Sequence, residues 1–140
     1  MRRTRDGSDT VPAMTDVRGS GLVGLHHVQL AMPPGEDEAA VRFYGAILGL
    51  ERIPKPEALS PAGGVWFRSG VLEVHLGVEE TSFTPAHKAH PAFLVRGLET
   101  LRERIEAAGY RVTDTVEMEG FHRVYVRDPF GNRVELIEPA

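Results

Sequence analysis

The stretch Tyr125-Val126-Arg127-Asp128-Pro129-Phe130-Gly131-Asn132-Arg133-Val134-Glu135-Leu136 decides the fold. Two alternating runs flank Asp-Pro-Phe-Gly-Asn, a cluster of turn formers, which predicts strand 121–127, a turn and strand 133–138. Asp128 is read as a turn residue bonding its own backbone rather than as a catalytic group. Alternation puts Val124 and Val126, and likewise Val134 and Leu136, on apolar faces. Arg123, Tyr125 and Glu135 fall on the opposite faces.

Reading backwards, a strand candidate at 111–117 precedes this pair. Before it a helix is expected from Leu98 to Ala108, with Leu98, Leu101, Ile105 and Ala108 as its stripe and Gly109 as its stop. Ahead of that helix lies a strand from Ala89 to Arg96. The order is βαβββ, and the first half repeats it. A strand from Leu25 to Met32 is broken by Pro33-Pro34-Gly35. A helix follows from Glu36 to Leu50, with Ala39, Phe43, Ile47 and Leu50 as its stripe. Strands near 51–54, 64–69 and 71–78 complete it, and a polar connector with Pro85 joins the halves. The fold class is therefore α+β, two βαβββ modules at about 24–80 and 88–138 within one domain, 21–140. They are expected to form a curved mixed sheet around a cleft. Residues 1–20 read as a disordered tail, and Met14 is a possible alternative start.

Bulk properties narrow the function. The chain has 140 residues, 41% hydrophobic and 26% charged, ordinary for one soluble domain. A net charge of −4 offers no basic footprint for nucleic acid. With no cysteine there is no disulfide scaffold, thiolate site or Cys nucleophile, so a metal must be held by His, carboxylate and water. No apolar run approaches the roughly 20 residues of a membrane span. Arg2, Arg3 and Arg5 have no apolar stretch behind them and form no secretory signal. A cytoplasmic location is expected. Gly19-Ser20-Gly21-Leu22-Val23-Gly24 matches GxGxxG formally, but it precedes a strand and opens no helix, so a flexible lead-in is the better reading.

The repeat aligns polar residues. His27, Gln29 and Ala31 oppose Val28, Leu30 and Met32, while Glu73 and His75 oppose Leu72, Val74 and Leu76. His90 and Ala92 oppose Phe93 and Val95. One-sided sheets often present such faces to solvent alone. Here, however, His27 and Glu73 stand 46 positions apart, and His90 and Glu135 stand 45 apart. Each pair is a His on a module's first strand and a Glu on its last. A near-twofold arrangement would gather two imidazoles and two carboxylates, a donor set suited to a divalent first-row metal.

The chain resembles the vicinal-oxygen-chelate superfamily, which includes glyoxalase I, bleomycin-resistance proteins and extradiol dioxygenases. The resemblance spans about residues 24–138. Its carriers are Gly24-Leu25-His26-His27-Val28-Gln29-Leu30-Ala31, Phe43-Tyr44-Gly45-Ala46-Ile47-Leu48-Gly49-Leu50 and, most specifically, the Asp-Pro-Phe-Gly-Asn segment with Glu135. It implies His27, His90 and Glu135 as metal ligands. Members with a fourth protein ligand carry it on the strand matching 71–78, where Glu73 is favoured as the partner of Glu135, His75 is the alternative, and a site using neither is the remaining reading. The metal would be one divalent ion: Fe, Mn, Ni, Co or Zn. His26 is read as structural, and His87 and His122 as surface or edge residues. Gln29, Trp66, Arg123 and Tyr125 are candidate substrate-binding residues, Arg123 because its fork suits carboxylate or phosphate. Trp66 and the Arg123–Tyr125 pair also have plain readings as core and cross-strand neighbours.

Three functions follow from the resemblance. The first is a glyoxalase-like lyase or isomerase on a small substrate that chelates the metal through vicinal oxygens, with Glu73, then His75, as base. The second is a small Fe(II) ring-cleaving dioxygenase built on a two-His-one-carboxylate triad. The third is a non-catalytic drug-binding or resistance protein. The family commonly forms homodimers, sometimes with a cleft shared between chains.

Overall fold

The computed structural model describes residues 19–140. The tail expected over 1–20 falls outside the described residues except for Gly19 and Ser20, as does Met14. The GxGxxG stretch leads into a strand and opens no helix.

The element order is β1 (Val28–Met32), α1 (Asp37–Ala40) continued by a π-helix (Val41–Ile47), β2 (Glu51–Ile53), a 3₁₀ segment (Glu57–Ala62), β3 (Val65–Ser69), β4 (Leu72–Val78), β5 (Ala92–Leu94), α2 (Leu98–Ala107), β6 (Val112–Asp114), β7 (Phe121–Arg127) and β8 (Arg133–Pro139). Both βαβββ modules are present. They form two four-stranded sheets, ordered β1-β4-β3-β2 and β5-β8-β7-β6. In each, the first strand runs parallel to the last and the remaining pairs are antiparallel. The sheets share no strand and close no barrel. Among the described residues no helix is long and apolar enough to cross a membrane.

β1 begins at Val28 rather than Leu25, so His27 lies just ahead of it, and the 3₁₀ segment lies outside the sequence expectation; three further elements depart for local reasons. The first helix widens to π geometry, with Leu48 N donating to Phe43 O at 2.9 Å. Ala40, Phe43, Tyr44 and Ile47 are all buried, the i, i+3, i+4, i+7 face of the helix, so Tyr44 joins Phe43 on the inward side. The strand expected over 89–96 contracts to Ala92–Leu94: Pro91 has no N–H to give, and Gly97, at φ +72°, turns the chain into α2. The strand expected over 111–117 stops at Asp114. Beyond it, the Val116 carbonyl receives the Arg123 guanidinium, Nη2 at 2.8 Å and Nε at 3.1 Å, instead of a ladder partner.

The helix stripe Leu98, Leu101 and Ile105 is buried as expected, while Ala108 becomes the exposed C-cap. The α2 N-terminus is capped from β8, where Glu138 accepts Gly97 N at 2.7 Å and Leu98 N at 3.2 Å. The modules meet over one continuous core. Phe43 packs edge-on to Tyr110, with centroids 4.9 Å apart, and Arg104 Nε donates to Ile47 O at 2.8 Å. A buried polar clasp adds direction: Tyr44 OH donates to Asp128 Oδ2 at 2.7 Å, and Asn132 Nδ2 donates to Ala31 O at 2.7 Å. Asp128 also takes the turn role expected for it, with Oδ1 accepting Phe130 N and Asn132 N. Each sheet thus turns its apolar face to the shared core. Gln29 and Ala92, on the other faces, are exposed.

Candidate metal centre

Strand register now supplies the correspondence between modules that residue counting approximates. In the first sheet Gln29 lies beside His75, and His75 beside Trp66, which lies beside Ile53. In the second, Ala92 lies beside Glu135, Glu135 beside Tyr125, and Tyr125 beside Thr113. His27 and His90 each precede the first of these residues by two. By register, then, His27 corresponds to His90, Trp66 to Tyr125 and His75 to Glu135. Glu73 corresponds to Arg133, because Glu73 lies beside Arg68 and Arg133 beside Arg127. The counts of 46 and 45 suggested Glu73 instead because the loops differ. From His27 to Ile53 the chain runs 26 positions, against 23 between the corresponding His90 and Thr113, so module one is longer before its second strand.

Module two brings the candidate ligands His90 and Glu135 together. His90 Nδ1 donates to Lys88 O at 2.7 Å, which leaves Nε2 as the ring atom turned toward Glu135. Nε2 lies 2.8 Å from Glu135 Oε1. A ring nitrogen and a carboxylate oxygen at this distance share either a proton or a cation. The backbone carbonyl behind the ring is the usual orienting partner of a ligating imidazole. Two ligands bound at about 2.1 Å to one ion at right angles also stand about 3 Å apart. Glu135 is buried, and its second oxygen lies 3.3 Å from Arg123 Nη1, which also donates to Tyr125 OH at 3.1 Å. Tyr125 stands edge-on to His90 with centroids 5.1 Å apart. The donor chemistry therefore fits a divalent ion.

Module one gathers its candidate residues in an aromatic stack. His75 is 2% exposed and lies between Trp66, 3.7 Å away and parallel within 3°, and His27, 4.1 Å away. Its Nε2 is 2.9 Å from Glu73 Oε1. That contact is the main cause holding the Glu73 carboxyl below its ordinary range, so Glu73 is ionised at neutral pH. His27 shares a hydrogen bond with His26 between their Nδ1 atoms, at 2.9 Å, which leaves its Nε2 available. Loss of hydration, then the His75 and His26 rings, lower its pKa, so His27 is neutral at pH 7, the form in which an imidazole can bind a metal. Gln29 lies over β4 in the space left by Gly77, where an added Cβ would meet its Nε2 at 2.7 Å.

The expected site residues thus gather as His27, Glu73, His75 and Trp66 on one sheet, and His90, Glu135, Arg123 and Tyr125 on the other. Among the described residues no three His, Asp or Glu side chains converge to hold an ion. His26 touches His27, while His87 and His122 are exposed. Sequence reasoning missed Arg133, whose Cζ sits 3.8 Å from the Tyr125 ring centroid. Its parity with Glu135 on β8 was the available signal.

The sequence model of the Glyoxalase/Bleomycin resistance protein/Dioxygenase superfamily matches residues 24–136. A glyoxalase family protein from Bacillus anthracis is 44% identical with a TM-score of 0.81, over 86% of this chain and 98% of that one. A lactoylglutathione lyase from Agrobacterium tumefaciens is 27% identical with a TM-score of 0.58, over 79% and 91%. The fosfomycin resistance protein FosX from Listeria monocytogenes, 20% identical with a TM-score of 0.65 over 86% and 96%, shares the fold. No protein of curated function matches the sequence. The chain belongs to the Glyoxalase/Bleomycin resistance protein/Dioxygenase superfamily.

Proposed function

We propose that this protein is a divalent-metal-dependent enzyme, a glyoxalase-like lyase or isomerase of the cytoplasm, acting on a small substrate that offers vicinal oxygens. His27, His90 and Glu135 would hold the ion, drawn from Fe, Mn, Ni, Co or Zn. The observation that carries this reading is His90 Nε2 opposed to the Glu135 carboxylate at 2.8 Å, with Nδ1 already committed to Lys88 O. The register correspondence with Glu135 supports His75 as the fourth donor. Glu73 is then free to serve as the base, ionised and beside the metal position.

Each chain carries two half-sites on separate sheets, with both open faces turned away from the shared core. The complete centre is therefore proposed to form between two copies, His27 and His75 of one facing His90 and Glu135 of the other. The bound ion would polarise the substrate oxygens as a Lewis acid. Trp66 and Tyr125, at corresponding positions, would wall the substrate, and Gln29 and Arg123 would bond its oxygens. Arg123 also orients Glu135, and the Trp66–His75 stack fixes the fourth donor.

Elemental analysis of protein purified without added metal, with turnover of α-keto aldehyde adducts and related carbonyl compounds, tests the assignment. Wild type is expected to carry a stoichiometric divalent ion, and His90→Ala and Glu135→Ala to lose both metal and turnover. Full metal content in either variant sinks the reading. Oxygen consumption on a catechol with Fe(II) would replace it with ring cleavage, and ligand binding with no metal would replace it with a sequestering protein.

A further inference from the structure

The open face of the second sheet carries a feature that the metal site does not use. Arg127 lies directly beside Arg133 in the β7–β8 ladder. Arg111, one residue ahead of Val112, which pairs with Val126, extends the same row. Three arginines therefore stand side by side across three strands, and like charges placed opposite one another destabilise a sheet. The duplicated module is an internal control. Its corresponding row is Glu51, Arg68 and Glu73, which alternates in sign.

The row lines a depression of about 540 Å³ together with Tyr110, Thr113 and Tyr125. Asp128 also borders it, but that carboxylate is 4% exposed, and both its oxygens are taken by Tyr44, Asn132 and the Phe130 N–H. Two of the guanidinium groups are held in place. Arg133 stacks on Tyr125 and donates Nη1 to His87 O at 2.8 Å, while Arg127 Nη1 donates to Gly131 O at 2.9 Å. Among the described residues none of the three makes an ion pair, in a chain of net charge −4. Pre-positioned forks with open N–H edges suit a tetrahedral oxyanion.

We propose that Arg111, Arg127 and Arg133 form an oxyanion subsite for the phosphate end of the substrate. The proposal rests on the metal-dependent reading above and names its substrate class. Arg133 and Glu135 are alternate residues on one strand face, so their side chains stand roughly 7 Å apart. The substrate is then a small phosphorylated carbonyl compound, with its phosphate a short arm away from the oxygens that reach the metal.

Calorimetric titration of inorganic phosphate into metal-stripped, full-length protein tests it. Saturable binding is expected in wild type, weakened about tenfold in Arg111→Ala and in Arg133→Ala. Arg102→Ala, whose partners are Asp114 and Glu106, should bind as wild type does. Arg111 makes no hydrogen bond to a described residue, so its variant keeps the fold even if Arg133→Ala does not. No saturable binding in wild type, or equal binding in Arg111→Ala, overturns the proposal. So does acetate binding as tightly as phosphate, which would assign a carboxylate instead. Because the metal is absent, the two readings fail separately. Protein that takes up metal but not phosphate sinks the subsite alone, and protein that binds phosphate but no metal sinks the metal reading alone.

Discussion

The Tyr44 hydroxyl ends inside the core, 2.7 Å from Asp128 Oδ2, and ties the first module's helix to the turn of the second. Replacing it with Phe leaves a buried carboxylate short of a donor. A cost of about 1–3 kcal/mol is expected, read by urea denaturation. Burial first, then the Asp128 charge and hydrogen bond, push the Tyr44 pKa well above its ordinary 10.0. The unfolded chain releases this proton near pH 10 while the folded chain keeps it. The native state therefore binds more protons above that pH, and stability falls as pH rises beyond it. Tyr44→Phe should flatten that alkaline slope; an unchanged slope would show that the clasp is not its source. The sequence exposed Asp128 as a turn residue through its Pro and Gly neighbours. Its distant partner was hidden, because Tyr44 lies 84 positions away and such a contact leaves no mark on local periodicity.

At the scale of elements, alternation made most strands legible, since one apolar face per sheet leaves a period of two. Register was not legible from counts, because unequal loops shift the sum without shifting the ladder. That is why Glu73 looked like the partner of Glu135 while His75 occupies the matching place. Two glycines probe the first sheet differently. Gly64, at φ +93°, sits where an added Cβ would lie 2.2 Å from the Leu76 carbonyl oxygen. Gly64→Ala is expected to cost about 3 kcal/mol in equilibrium unfolding, since strained φ and backbone overlap combine. Gly77 meets only the mobile end of Gln29. Gly77→Ala should change stability by less than about 0.5 kcal/mol while raising KM by displacing Gln29. A large loss of stability with unchanged KM would contradict that role for Gln29.

For the whole molecule, duplication explains both what the sequence revealed and what it concealed. His27, His90 and Glu135 stood out because two modules repeat one plan, yet alternation cannot say whether the two polar faces meet within a chain or between chains. An ion shared by two copies links metal binding to self-association. Chelation should lower the melting temperature and shift the protein toward monomer in analytical ultracentrifugation, with restoration on adding metal back. A chelated protein whose association state does not change would argue for a site within one chain.

The most direct test mixes two inactive variants. His27→Ala and His90→Ala should each bind no metal alone. After subunit exchange, the mixed dimer should regain one intact site, with His27 from one copy and His90 and Glu135 from the other, and recover metal and turnover in proportion to its amount. Failure to recover either, with exchange verified by mass, would contradict the two-copy centre.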